Sequence, residues 1–195
     1  MIRSLTLLML IVPAICFSQT NKIRFTNQLA GTLNGAGDLL GYKIDAGIEK
    51  QIFKRTYLAV RLGVCETKGS STVLIHSKAY ENDAAISLTA AITRSFKILN
   101  KLSISPEVGF VLRSHKWTVI AGPTFRFIKG DRVIPPGTSA QWNDNTIGYH
   151  FQIPFEFQTG KRTAMIIFAE YENDTFGYTF FSVGTGIKIG LGKTE

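Results

Sequence analysis

Cysteine is almost missing from this chain, with two in 195 residues. One of them, Cys16, sits in an N-terminal apolar run, which leaves Cys65 alone in the remainder. A lone thiol closes no intramolecular disulfide, so the fold has to stand on packing and hydrogen bonding, with Cys65 expected as a small packed residue. Charge is scarce as well: Asp, Glu, Lys and Arg make up 18% of the chain, against about 25% in an average soluble domain. Long apolar runs are absent after position 20, so any membrane crossing there has to be made by strands rather than helices. Zinc-finger spacing, a phosphate loop and an arginine-rich tract are absent too, which argues against reading the net charge of +8 as nucleic-acid binding. No His, Cys, Asp and Glu cluster has metal-ligand spacing, and no cofactor is expected.

What is present begins with a leader. Met1-Ile2-Arg3 is a short basic start, and Leu5 to Phe17 is apolar apart from Thr6 and Pro13. Cys16 and Ser18 stand three and one positions before a cut ahead of Gln19, the small-residue pattern of a secretory signal peptide. A helix over that run is about 20 Å long, short of the ~30 Å hydrocarbon core, so a retained anchor is not expected. Bulky Ile15 ahead of Cys16 argues against lipidation. The expected division is residues 1–18 as signal peptide and 19–195 as one domain, with no linker or composition shift inside it.

The rest of the chain alternates. In "IGYHFQIPFEFQ" (147–158) every second residue from Ile147 to Phe157 is large and apolar, four of the six being aromatic. Successive strand side chains point to opposite faces, so this is a β-strand whose two faces meet different surroundings. The same period runs through "GYKIDAGIEKQI", "YLAVRLGV", "AISLTAAITRSF", "LSISPEVGFVLR" and "FFSVGTGIKIGL". It also runs through "WTVIAGPTFRF", read as a separate strand with Trp117, Val119, Ala121, Pro123, Phe125 and Phe127 on its apolar face. Thr163–Glu172 is ambiguous, because Met165 to Phe168 is apolar on both faces. Short polar turns such as "FKRT", "ILNK" and "TGKR" join these segments into an antiparallel meander. Only 129–146, with Pro135-Pro136-Gly137, reads as a long connection.

A meander whose edges meet is a closed barrel. The expected fold is all-β: an antiparallel up-and-down transmembrane β-barrel of eight to ten strands. Eight follow if 65–83 is a long connection; ten follow if 22–33 and 71–80 are strands, which the uniformly short turns favour. Strands of about 11 residues tilted near 40° rise about 28 Å, enough for an apolar band of about 25 Å. The polar face carries Lys43, Arg61, Arg113, Arg126 and Lys188 against Asp45, Glu49, Glu107, Glu156 and Glu170, spaced by Gly, Ser and Thr. Equal numbers among small residues suit the crowded inside of a narrow barrel better than a soluble surface. These ten are the expected interior lining, structural rather than catalytic, with Phe151, Ile153 and Phe155 toward lipid and Gln152 and Glu156 inside. Neighbouring strands lie about 4.8 Å apart, which makes Arg61 with Glu49 or Asp45 the expected pair.

The leader ending near "FSQ", the hairpins "GIEKQIFKRTYLAVRLGV" and "NKLSISPEVGFVLR", the "AGPTFRF" segment and the terminal "SVGTGIKIGL" resemble the small outer-membrane β-barrel (porin-family) proteins, particularly those of Bacteroidota. The resemblance covers the chain after the leader and is one of pattern, without a diagnostic motif. It implies an outer-membrane location, lipid as the surrounding partner and a monomer. Many such barrels end on an aromatic residue, whereas here Leu191 is followed by Gly192-Lys193-Thr194-Glu195. Three functions stay open: a non-enzymatic membrane protein with a salt-bridged lumen, a small channel, and a lipid-modifying enzyme using His115 or His150. His76 and His115 have Ser77 and Ser114 as chain neighbours, but adjacent strand residues face opposite ways and form no dyad. His150 with Ser182 would need a distance that sequence cannot supply. Glu170 and Glu172 read as interior ion-pair partners rather than general acids.

Overall fold

A computed structural model describes residues 22–35, 39–74, 77–123, 127–129, 132–175 and 177–191. The strands in chain order are β1 Ile23–Asn34, β2 Leu39–Phe53, β3 Thr56–Leu74, β4 Ser77–Arg94, β5 Phe96–Leu99 and β6 Leu102–Ile104. They continue with β7 Glu107–Ile120, β8 Phe127–Lys129, β9 Arg132–Ile134, β10 Ser139–Gln158, β11 Thr163–Asp174 and β12 Thr179–Leu191. There is no helix among the described residues. All pairings are antiparallel. Eight strands close a ring in the order β1-β2-β3-β4-β7-β10-β11-β12, with β12 returning to β1 from Ile23↔Leu191 to Asn34↔Phe180. Closure leaves no unpaired edge along these strands.

Two extra strands bring the same sheet to ten. β5 and β6 form a small hairpin, and β6 pairs with β10 over Phe155–Phe157, where β7 has already ended at Gln152↔Glu107. The break falls at Ser105-Pro106, opposite Pro154. Neither proline has an N–H to donate, so the ladder is handed from β7 to β6 across them. Ser105 N donates to the Pro154 carbonyl at 3.0 Å and Arg94 N to the Pro106 carbonyl at 3.2 Å, which fastens the seam.

Three sequence expectations change. The segment 22–33 is a strand, but 71–80 is not a separate one: Ser71–Leu74 ends β3 and Ser77–Tyr80 begins β4, so the two make one long hairpin. Trp117 does not open a new strand either, because β7 runs unbroken from Glu107 to Ile120. Its parity therefore carries inward from Glu107 through Arg113 and His115 to Trp117 and Val119, both buried. Of the apolar face assigned to that segment, Trp117, Val119 and Ala121 thus look into the protein, not to lipid, and Pro123 is exposed; Phe125 and the Phe127 side chain lie outside what is described. Finally, 129–146 is not all loop. β9 lies within it and pairs back to β8, which ends at Lys129, and β10 starts at Ser139, after a turn in which Gly137 has φ 68°.

The outer surface is banded. On β10 the outward residues Ile147 to Phe157 are apolar, while those beyond, Gln141, Asn143 and Asn145, are polar and exposed. The same change falls between Leu112 and Ser114 on β7 and between Val64 and Glu66 on β3. The β7 and β10 transitions are level, since Leu112 pairs with Ile147 and Ser114 with Asn145, and that on β3 falls one outward residue further on, Val64 being in register with Ile86 and Ile86 with Ser114. From Ile147 to Phe157 a strand tilted near 40° rises about 25 Å, the height of a bilayer-facing belt. Beyond the belt, on the long-loop side, Ala79, Val119, Ala121 and Ile134 form a small core of their own, with Ala140 and Trp142 against it.

Candidate functional site: the barrel interior

Inside the belt, strand alternation aims one polar set at a common axis. Of the expected lining, Lys43, Asp45, Glu49, Arg61, Glu107, Arg113, Glu156, Glu170 and Lys188 are all buried. Arg126 lies outside the described residues. The buried ions form three groups, the second and third joined by Arg113, 3.6 Å from Asp174.

Nearest the short turns, the Lys188 ammonium lies 2.7 Å from Glu49 and 2.8 Å from Glu156. Arg24 approaches Glu156 at 3.6 Å, donates to the Tyr57 hydroxyl at 2.6 Å and stacks over that ring. In the middle, Arg61 grips Glu107 with both terminal nitrogens. His150 joins this pair to the next set: its Nε2 is 2.9 Å from Glu107, and its Nδ1 is 3.1 Å from Glu172 and 3.2 Å from Glu170. Lys43 donates to Glu170 at 2.8 Å and Glu172 at 3.0 Å, with Asp45 at 3.5 Å, and Arg113 also holds Glu172. Toward the long loops His115 bridges Asp83 at 3.0 Å and Asp174 at 3.3 Å, and Asn34 donates to Asp83 at 2.9 Å.

The expected neighbour pairing of Arg61 with Glu49 or Asp45 is not what forms. Arg61 lies directly opposite Gly47 on β2, and a Cβ there would come within 2.5 Å of the Arg61 Cγ, so its stem passes over the glycine. The arginine reaches across the lumen past Thr89 of β4 to Glu107 of β7, because its side chain is longer than the ~4.8 Å between neighbouring strands. Glu49 is taken by Lys188, and Asp45 fits over Gly63, where a Cβ would fall 2.0 Å from its Oδ1.

The charge count also differs from equality. Among the described residues nine carboxylates are buried, Glu81, Asp83, Glu172 and Asp174 being those beyond the expected set, against the four buried cations Lys43, Arg61, Arg113 and Lys188. Arg24 at the rim and the two histidines narrow the gap. A carboxylate can only accept, so an imidazole with carboxylates at both nitrogens donates from both and adds a positive charge. His150, Glu170 and Glu172 are close enough to hold a metal ion, drawn from two adjacent strands rather than from one sequence motif. The Lys43 ammonium already occupies that position among the same carboxylate oxygens.

Apolar side chains complete the filling. Ile166 and Phe168, from the segment that read ambiguously, pack inward with Ala30. Phe180 packs with Cys65 and Ala85 and lies under the Arg113 guanidinium at 4.0 Å. Trp117 and Tyr178 meet tilted, ring centres 5.0 Å apart, and with His115 they fill the loop end of the lumen. Parity from Glu107 along an unbroken strand is the signal that would have placed Trp117 inside. Ser182 bonds Thr32 at 2.9 Å rather than His150, and Ser114 faces outward from His115, so neither histidine has the serine partner of a dyad. His76 lies outside the described residues.

No protein-family model matches the chain, and no curated protein is similar to it in sequence. Solved structures are similar in fold. The outer membrane protein OprG from Pseudomonas aeruginosa superposes with a TM-score of 0.59 at 7% identity, over 88% of this chain and 96% of that one. Ail, the attachment invasion locus protein of Yersinia pestis, gives 0.51 at 10% identity, over 87% and 98%. A major outer membrane protein from Thermus thermophilus gives 0.51 at 10% identity, over 87% and 99%. At these identities the likeness is one of fold, and the fold is the outer-membrane β-barrel.

Proposed function

We propose that this chain is an integral outer-membrane β-barrel protein, non-enzymatic, whose lumen is plugged by its own ion pairs and which acts through its loops or as a structural element. One observation carries the reading: Glu49, Glu107, His150 and Gln152, inside the ring from its short-turn end to its middle, have relative exposures of 0–1%. Side chains lining a wet pore present surface to water; these do not. The apolar belt outside and the polar boundary above it support lipid as the surrounding medium. The leader at 1–18 supports export with cleavage near Gln19, leaving residues 19–195 as the mature barrel. Bacteroidota porin-family barrels are the family that the sequence pattern best suggests, and the closed ring supports a monomer. The enzymatic reading loses ground because neither described histidine meets a serine.

The test is expression with outer-membrane fractionation, followed by planar-bilayer recording of the refolded protein. A membrane-fraction band that shifts on boiling, together with no steady single-channel current, is the expected result. Steady conductance would replace this reading with the channel; recovery as a soluble periplasmic protein would overturn both.

A further inference from the structure

The basic residues are not spread evenly over the outer surface. At the short-turn end Lys54 and Arg55 form the β2–β3 turn, Lys97 and Lys101 lie on the β5–β6 hairpin, and Lys161 and Arg162 occupy the β10–β11 turn, all exposed. The carboxylates nearest that end, Glu49, Glu107 and Glu156, are turned into the lumen and buried. Among the described residues the short-turn rim is therefore a band of one sign. Beyond the belt at the opposite end the exterior is mixed, as in Glu66 with Lys68 at 2.8 Å.

Part of this rim has a defined shape. Arg55 is the described non-glycine residue with positive φ, 63°, which closes a tight turn and frees its side chain toward the hairpin. Ser95 N donates to the Arg55 carbonyl at 2.8 Å, tying the two elements together. Between them lies an open cleft of about 550 Å³ lined by Arg55, Lys97, Ile98, Leu99 and Asn100. Its lining divides by chemistry: Arg55, Lys97 and Asn100 are hydrogen-bond donors, while Ile98 and Leu99 are apolar and exposed at 52% and 64%. The hairpin continues the barrel wall through β6: Leu102 and Leu99, in register with outward Phe157, extend the lipid-facing belt, while Lys97, opposite Ser103, stands on the other face and lines the cleft from the edge strand β5.

We propose that this cleft binds the headgroup of an anionic phospholipid in the leaflet that the short turns face. The phosphate lies between Arg55 and Lys97, and the upper acyl chain lies along Ile98 and Leu99. Guanidinium and ammonium groups both recognise phosphate, Arg as a fork and Lys as a point charge. Basic residues on an apolar hairpin match the headgroup–acyl boundary, where long stems lie in the apolar layer and charges reach the phosphates. A zwitterionic headgroup has its own cation competing for the phosphate, so the one-sign rim favours a lipid with net negative charge. This assignment rests on the membrane-barrel reading above.

The test separates the two. Folding is read first, as a heat-modifiable band after refolding into phosphatidylcholine vesicles, a lipid the proposal does not require. The folded protein is then exposed to equal amounts of phosphatidylglycerol and phosphatidylcholine in detergent, and retained lipid is counted by native mass spectrometry. Wild type should retain phosphatidylglycerol about 25-fold over phosphatidylcholine. Each basic residue near an anionic lipid contributes about fivefold, so Arg55→Gln with Lys97→Gln should remove most of that preference. Lys68→Gln, beyond the belt at the other end, should leave it intact. Equal retention of the two lipids, or a preference unchanged in the double variant, overturns the lipid site while the barrel stands. Displacement of the lipid by soluble polyphosphate at the same phosphate concentration makes the rim a general polyanion surface and overturns it too. Failure to fold into phosphatidylcholine vesicles removes the barrel reading itself.

Discussion

Replacing Arg61 with leucine tests whether the lumen is dry. Arg61 and Glu107 side chains are 2% and 0% exposed, so water cannot take the place of a missing partner without rearrangement. Breaking a buried pair by removing one member costs about 3–5 kcal/mol, mostly from the charge left behind. In Arg61→Leu the stranded Glu107 keeps the His150 Nε2 at 2.9 Å, which places the cost near the lower end, about 3 kcal/mol. Glu107→Leu strands two groups, the guanidinium and the His150 Nε2, and should cost about 5 kcal/mol. In the double change both desolvated charges disappear and two apolar side chains fill their volume. Its cost should therefore fall short of the sum of the singles by about 2–3 kcal/mol. The measurement is urea unfolding of vesicle-inserted protein followed by tryptophan fluorescence, with all four members of the cycle in the same lipid. Single changes that are small and add within about 0.5 kcal/mol would mean that water reaches both groups, and the plugged-lumen reasoning would fall.

Two further outcomes follow from the same geometry. Phe151→Arg, in mid-strand on the outer face, should destabilise the barrel by about 2–4 kcal/mol in vesicles, the cost of a basic residue at the bilayer midplane; Gln152→Arg, beside it but hydrogen-bonded to Gln28 inside, should be felt through crowding and charge, and a lipid-phase label reaching residue 152 rather than 151 would reverse the faces. Cys65, buried against Ala85 and Phe180, should resist a water-soluble maleimide in the folded barrel and react after unfolding, so rapid labelling of folded protein would place it outside the core.

Much of this architecture is written in period and composition. The alternation of Phe151, Ile153 and Phe155 with Gln152, Pro154 and Glu156 is a local property, because strand geometry sends neighbours to opposite faces whatever the rest of the chain does. The belt, the inward set of ions and the absence of helices among the described residues follow from it, as does the antiparallel order, since short turns join only antiparallel neighbours. Period alone could not say where one strand ends. "SHKWTV" continues β7 and sends Trp117 inside because β4 and β10 both extend to pair with it, from Tyr80↔Ile120 on one side and Ser139↔Ile120 on the other. The partners of the ions were equally beyond reach. Arg61 finds Glu107 rather than Glu49 because the inward curl of the sheet brings β7, two strands along, within one side-chain length. Lys43 likewise meets Glu170 and Glu172 across 127 and 129 residues of chain. Which face a residue takes is decided by the backbone next to it; which residue it meets on that face is decided only when the ring closes.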